Sequence, residues 1–495
     1  MSAAPSRRGY KLKRMLLRQT LLYLPAQVLG PLVQFISIIL WTYFLSPQEM
    51  GTLALITAAQ EFAYIGTLFW FTLFTMRYFD KSADTSARIT FLNTESGVLL
   101  GAGIGSMLGL LTLPLFVEAN WNWPLLSGAL AYGLSRTLAT HLTDRARTAA
   151  DTLTYSLLQI IWPVLGLALG IVFVQLAGAS AASVLWGYAA AQILALGIAV
   201  KRLDFGRQPF AVSASMFKTA LHYGMPLVIG GLFVWLANNG IRFIIEQHEG
   251  AAAVGLVTVG WGLGLRAAAF AAMLVTAAAF PLAVARSRDH GMAEGQAQLV
   301  RNGILLLAIL APATAGLWAI STPLVERIVA VPFQAMTAAV LPWAIIAGAA
   351  RNLRIHFGEQ VFLLREQTLV PLANDVFDGI ATLVGGALGL IYFGLPGSVM
   401  GAAIGAVASL LVTLACGAYW HQFHVPLGHL LRIVAATAAM VFVLLLSPAS
   451  PTVLSLALSI AAGGLVYAGA LAVIYPEAAG LLAAKFRQLR GLERL

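Results

Sequence analysis

Apolar blocks of about 20 residues recur along the whole chain, the length an α-helix needs to cross the hydrocarbon core of a bilayer. They fall at 20–45, 51–78, 91–116, 124–143, 152–176, 181–200, 218–245, 251–280, 299–320, 336–358, 370–393, 396–419, 429–447 and 452–474. That is about fourteen spans. In lipid each block must satisfy its own backbone hydrogen bonds, so helix is the conformation open to it. Composition points the same way: 59% of the 495 residues are hydrophobic and 10% are charged, against about 25% charged in soluble domains. So little charge cannot cover the surface of a soluble enzyme of this length. The expected fold is an all-α integral membrane protein. The first block follows Arg7, Arg8, Lys11, Lys13, Arg14 and Arg18. It is longer than a signal-peptide core and no small-residue cleavage site follows, so it is expected to be an uncleaved span. The one cysteine, Cys416, rules out an intramolecular disulfide.

Charge placement gives an independent reading of the topology, because cytoplasmic connections collect lysine and arginine. With a cytoplasmic N-terminus, 26 of the 30 lysines and arginines fall in the inner connections and tails. These include Arg77, Lys81 and Arg88; Arg145 and Arg147; Lys201, Arg202, Arg207 and Lys218; Arg286, Arg288 and Arg301; and Arg351, Arg354 and Arg365. Both termini are therefore expected in the cytoplasm. The net charge of +10 follows from topology, and no nucleic-acid partner is inferred from it. The outer connections, such as 46–49, 117–123 and 447–451, are too short to form a catalytic domain.

The most polar inner connection, 201–217, divides the chain. It leaves an N-terminal lobe of six spans (1–200), a C-terminal lobe of six (218–420), and two further helices with a tail (421–495). A faint repeat supports the division. Gly30-Pro31-Leu32-Val33 opens the first span and Gly224-Met225-Pro226-Leu227-Val228 the seventh, and each is followed by an outer turn and a helix containing Gly51 or Gly255. Transporters built from repeats hold substrate between them.

The segment from Leu16-Leu17-Arg18-Gln19-Thr20 through the turn Leu45-Ser46-Pro47-Gln48-Glu49-Met50-Gly51 resembles the start of Wzx-type bacterial polysaccharide flippases. These belong to the multidrug/oligosaccharidyl-lipid/polysaccharide exporter superfamily. Met76-Arg77-Tyr78-Phe79 and Asn238-Asn239-Gly240-Ile241-Arg242 are similar to that pattern too. The likeness covers roughly residues 1–90 and 215–265; elsewhere it rests on the order and number of spans. The resemblance implies two six-helix lobes around a central cavity, two added C-terminal helices, and alternating access. It implies translocation of undecaprenyl-pyrophosphate-linked oligosaccharide from the inner to the outer leaflet of the bacterial inner membrane, for exopolysaccharide or O-antigen (lipopolysaccharide) assembly. The implied partners are the lipid-linked oligosaccharide, membrane lipids, and a glycan polymerase with its chain-length machinery.

Ionisable residues inside spans are costly, so they face protein or water and mark candidate sites. Arg266 lies near the middle of the eighth span, too deep to reach the headgroups easily, with small neighbours around it. Arg136 sits in the fourth span nearer the inner end. Both are candidates for gripping substrate phosphate, since a guanidinium is permanently charged and donates in a fork; each also has a structural reading, in a buried hydrogen bond for Arg266 and in snorkelling for Arg136. Arg351 and Arg354 share a helical face, as do Asp375 and Asp378 on the next span. They read either as an interhelical salt bridge or as a phosphate clamp released through the carboxylates. Glu61 is a candidate for ion coupling, or a hydrogen-bonded core residue. Arg242 and Glu246, four apart, read as an intrahelical pair or an outer gate. No phosphate-binding loop, metal pattern or cofactor motif appears; His421, His424 and His429 lack a dependable ligand spacing. Rival readings are a lipid-II flippase, a cation-coupled multidrug exporter, and a membrane glycan polymerase or glycosyltransferase. An exporter of cations would favour carboxylates in the N-terminal lobe, and the first span, 20–45, contains none; the polymerase would need larger outer loops.

Overall fold

The computed structural model describes residues 28–80, 84–203, 210–446 and 450–477. Both termini, residues 204–209 of the connection 201–217 (with Arg207), Lys81, the outer-connection residues 447–449, and the resemblance at residues 16–27 lie outside the described residues. Among the described residues every regular element is a helix. In chain order they are α1 (Val28–Phe44), α2 (Pro47–Tyr78, with a π-turn at Ile65–Phe69), α3 (Thr85–Leu111), α4 (Trp123–Thr148), α5 (Thr152–Ala177), α6 (Ala181–Arg202) and α7 (Ala214–Trp235). A π-turn (Leu236–Gly240) leads into α8 (Ile241–His290), followed by α9 (Met292–Ala319), α10 (Ser321–Ile328) and α11 (Val331–Leu353). After a third π-turn (Arg354–Gly358) come α12 (Gln360–Leu364), α13 (Leu369–His421), α14 (Leu427–Leu446) and α15 (Val453–Ile474).

Ten helical stretches are long and apolar enough to cross a membrane, so the chain is a multi-pass membrane protein. Two of the ten are longer than one crossing. Residues 214–290 contain Gly250 at φ 78°, and 369–421 contain Gly394 at φ 67°. Both lie in the left-handed region that glycine enters without steric cost, where the sequence places outer turns. The 17-residue α1 and the charge-bearing α4 are not among the ten.

The helix starts are written in the sequence. Side chains of Ser46, Asn122, Asp151, Ser180, Ser213 and Thr452 each accept from a backbone N–H in the first turn that follows. This satisfies donors a helix leaves open at its N-terminus.

The chain divides into two compact units, residues 1–258 and 259–495. In the first, α5 and α6 pack side by side and α4 lies against both. An aromatic cluster of Phe71, Phe74 and Phe91 fills the space among α2, α3 and α4. On the expected outer side, the Glu49 carboxylate accepts from the Ala181 N–H at 2.6 Å. The two glycines of the repeat meet there: Gly51 abuts the Ala251 carbonyl and Gly255 the Pro47 carbonyl, and a Cβ on either would overlap backbone. In the second unit, α11 packs along α13, and α14 joins α15 and α9.

Candidate functional site

Helix α4 brings ionisable groups into the first unit. Arg136 is half-buried, with its guanidinium carbon 3.9 Å from the centroid of the Trp162 ring on α5. Trp162 in turn lies 6.2 Å from Tyr188 on α6, whose hydroxyl receives the Trp41 indole N–H at 3.4 Å. Among the described residues no carboxylate lies within ion-pair distance of Arg136. A guanidinium stacked on a ring keeps its N–H edge for an anion, because the ring engages only the face.

Glu61, on the exposed side of α2, stands close by in the same unit. The Asn239 amide donates to its Oε2 at 3.1 Å, from the π-turn that precedes α8. The neighbouring Gln60 donates to Thr137, next to Arg136, at 3.2 Å. Tyr132 is within electrostatic reach of both Arg136 and Glu61. The structure thus gathers Arg136 and Glu61 into one region, together with Asn239 of the family-like segment. Arg242 is half-buried near the start of α8 and makes contacts of its own. The Glu246 carboxylate accepts from the Glu118 N–H, tying α8 to the connection before α4.

In the second unit the two arginines and two aspartates of the sequence reading come together, and a third carboxylate joins them. Arg351 Nε donates to Asp378 Oδ2 at 3.1 Å and its terminal nitrogen to Thr382 at 2.9 Å. Arg354 donates to Asp375 at 2.9 Å, lies 3.5 Å from Asp378, and pairs with Glu359. The pairing with Glu359 has a local cause. In the π-turn the Glu359 N–H bonds the Arg354 carbonyl five residues back, at 2.8 Å. The wider turn brings side chains five apart onto one side, where an α-helix would separate them. Arg351 also lies over Trp261, 5.6 Å from its ring centroid. Arg354 is 1% exposed, so its charge is spent on protein carboxylates. Arg266 is half-buried on α8. It lies five residues beyond Trp261, about 140° round the helix, and has contacts of its own.

A third cluster was not read from the sequence. Glu95 on α3, His141 and Arg145 on α4, and Thr72 on α2 are all buried. Glu95 Oε1 is 3.0 Å from both His141 Nε2 and Arg145 Nε, while His141 Nδ1 is 2.9 Å from Thr72 Oγ1. The charge pattern places Arg145 in an inner connection. The helix instead continues to Thr148, and the guanidinium packs 3.3 Å from the Phe79 ring centroid, 3% exposed. The available signal was Glu95, alone in its apolar block, and His141, which shares the fourth block with Arg136. Among the described residues no group of histidine, cysteine and carboxylate side chains could hold a metal ion.

Comparisons with known proteins agree with this architecture. Solved structures with the same fold include a lipid II flippase MurJ in an inward closed conformation, with TM-score 0.71 at 13% identity, covering 93% of this chain and 99% of that one. An inward-facing multidrug resistance MATE family transporter of the MOP superfamily follows at TM-score 0.53 and 14% identity, covering 84% and 98%. A MATE transporter of Vibrio cholerae gives 0.54 and 14%, covering 84% and 98%. No curated protein sequence matches the chain. The profile described as "Polysaccharide biosynthesis protein" matches residues 16–285, more than half of the sequence, and the chain belongs to that family.

Proposed function

We propose that this protein is a flippase that carries undecaprenyl-pyrophosphate-linked oligosaccharide from the inner to the outer leaflet of the bacterial inner membrane by alternating access. The observation that carries the reading is Arg136: an intramembrane guanidinium, half-buried, seated on Trp162, with no carboxylate against it among the described residues. A charge in that position is expensive unless something anionic uses it. A pyrophosphate diester, with about two negative charges, suits a fork of parallel donors. Family membership supplies the glycan side of the reading. Arg266 is proposed, within the second unit, as a residue able to contact phosphate, and the Arg351/Arg354 network with Asp375 and Asp378 as a gate rather than a clamp, since its cations already hold carboxylates. Glu61 and Arg242 keep a proposed gating role. The fourteen-span topology with cytoplasmic termini also belongs to this reading. Dividing the two long stretches at Gly250 and Gly394, and adding α1 and α4, supports that number. A glycan polymerase would receive the product on the outer side.

The test is flipping in proteoliposomes, using fluorescent undecaprenyl-pyrophosphoryl-N-acetylglucosamine and quenching of the outer leaflet. Arg136→Ala should slow flipping by at least about tenfold at matched protein level, from the loss of one charged hydrogen bond. Arg136→Lys should recover only part of it, because a point charge replaces a fork. A wild-type rate in Arg136→Ala sinks the assignment. Lipid II offered as a competitor separates this reading from a lipid-II flippase, because there lipid II is the better substrate.

A further inference from the structure

On the expected outer side of the first unit, three chain segments meet around one cavity of about 720 Å³. The α1–α2 turn brings Gln48, the α3–α4 connection brings Glu118, Asn120 and Trp121, and α8 brings Glu246 and Gln247 just before the break at Gly250. The size falls within the range of about 300–1,000 Å³ usual for small-molecule sites. Glu246 is the anchored group of the lining. It is 4% exposed, and its carboxylate accepts from the Glu118 N–H, which fixes the α3–α4 connection against α8. The Trp121 indole N–H is taken by the Val117 carbonyl at 2.9 Å, so its ring has only apolar surface left for a ligand. Gln48, Glu118, Asn120 and Gln247 are exposed, and among the described residues their side chains make no hydrogen bond to protein.

This lining has a chemical complement. A pyranose ring has an apolar C–H face, which suits an indole. Its neighbouring hydroxyls can donate to carboxylates and both give and receive bonds with amides. Charge excludes other occupants. No lysine, arginine or histidine lines the cavity, so a phosphate there would meet two carboxylates and no cation. Among the described residues no group of side chains could hold a metal ion. The rim sets the height of the cavity. Leu115 and Phe116, which line it, are 79% and 62% exposed, and nearby Trp123 is 75% exposed. Apolar and indole side chains exposed in this way belong at the headgroup level of a bilayer. A sugar joined to a lipid through pyrophosphate sits at that level.

We propose that this cavity is a carbohydrate subsite that holds an uncharged pyranose of the lipid-linked glycan on the outer side, with the pyrophosphate kept clear of Glu118 and Glu246. The source of the sugar rests on the flippase reading; the selectivity rests on the lining. A uronic acid is disfavoured, because two carboxylates across roughly 7 Å of largely aqueous surroundings weaken its binding by roughly tenfold.

Saturation-transfer NMR on the full-length chain in nanodiscs of uncharged lipid tests this. The probes are the methyl glycosides of glucose, galactose, mannose and N-acetylglucosamine, each beside its uronide. At least one neutral glycoside should bind in the millimolar range, and its uronide about tenfold more weakly. Glu118→Gln is an exposed change that keeps the backbone N–H to Glu246, and it should cut that preference to about threefold. Adding Glu246→Gln should abolish the preference. Undecaprenyl-pyrophosphoryl-N-acetylglucosamine in the nanodisc should displace the bound glycoside. Uronides that bind as well as their neutral counterparts, or a preference that survives in the double variant, overturn the subsite. Binding of tetralysine but of no neutral glycoside marks a peptide dock and overturns it too. A glycoside signal unchanged by the lipid overturns the lipid-linked source. Flipping of the same lipid in proteoliposomes is scored separately. Flipping without glycoside binding removes the subsite and leaves the flippase reading; glycoside binding without flipping removes that reading and leaves the selectivity of the cavity.

Discussion

Removing Asp378 from the second unit should cost more than removing Asp375, and the reason lies in how the five charges are shared. Asp378 is 2% exposed; it accepts from Arg351 and Thr382 and lies 3.5 Å from Arg354. Asp378→Leu takes from the buried Arg351 the carboxylate it is paired with, and breaking a buried pair by removing one partner costs about 3–5 kcal/mol. Arg351→Met leaves Asp378 with Thr382 and the more distant Arg354, so its cost belongs at the lower end, about 3 kcal/mol. The double variant removes both ions, strands only a hydroxyl, and should cost no more than either single change. The cycle then gives a coupling of about 3 kcal/mol, the upper end for neighbouring groups. Asp375 differs: its side chain is 22% exposed, and two arginines face three carboxylates, a formal excess of one negative charge. Asp375→Asn removes that excess and should cost about 1 kcal/mol or less. The assay is reversible unfolding by steric trapping in bicelles. A coupling within about 0.5 kcal/mol of zero, or Asp375→Asn costing more than Asp378→Leu, would refute the charge accounting.

Three further outcomes are expected. Gly51→Leu or Gly255→Leu should destabilise the first unit by at least about 1–3 kcal/mol, because each side chain must displace backbone rather than a flexible neighbour; a wild-type melting temperature in both variants would contradict the crossing. Cysteines placed at Gln48 and Asn120 in a Cys416→Ser background should react with an impermeant thiol reagent on intact cells, whereas one at Arg288 should not; the reverse pattern inverts the topology. In the connection before α5, partial burial disfavours the Asp151 carboxylate, but hydrogen bonds from Thr154 and the Arg202 charge outweigh it and hold the group below its usual range. The folded value lies below the unfolded one, so this cap stabilises at pH above about 4 and is lost as pH falls through the folded value. Asp151→Asn should flatten that acid-side loss, and an unchanged slope between about pH 4 and pH 2 would show that the cap does not contribute.

Hydropathy made the helices legible because membrane insertion acts on blocks of about 20 residues, a scale that composition reports directly. The breaks at Gly250 and Gly394 fall in the gaps between the blocks that end at 245 and 393 and those that begin at 251 and 396. Helix ends were less so. The sequence ends the fourth span at residue 143, yet α4 runs to Thr148, because Arg145 finds Glu95 and Phe79 and need not leave for water. The π-turns left no trace, since one extra residue in a turn changes neither hydropathy nor period enough to register. Glu359 escaped notice for that reason: its pairing with Arg354 depends on the π-turn. Glu95 and His141 escaped for another. Partners 46 positions apart read separately as lone polar residues, and only packing shows that they complete each other.

The same physics that lets these charges into the membrane sorts them by role. An ion buried with a partner has its insertion cost offset by protein and is silent toward a ligand unless the pair opens. Arg145 with Glu95, Arg351 with Asp378, and Arg354 with Asp375 and Glu359 are of this kind. A ligand that takes such an arginine must first strand a carboxylate, at a cost of several kcal/mol, so these pairs suit gates, which act by opening. Arg136 is of the other kind. An aromatic face contributes about 0.5–2 kcal/mol and leaves the charge unneutralised, so an arriving phosphate gains without displacing anything. On the proposed reading, opening and gripping fall to different arginines, and a flippase would need both: one group to hold an anionic headgroup and others that break and re-form as the carrier changes state.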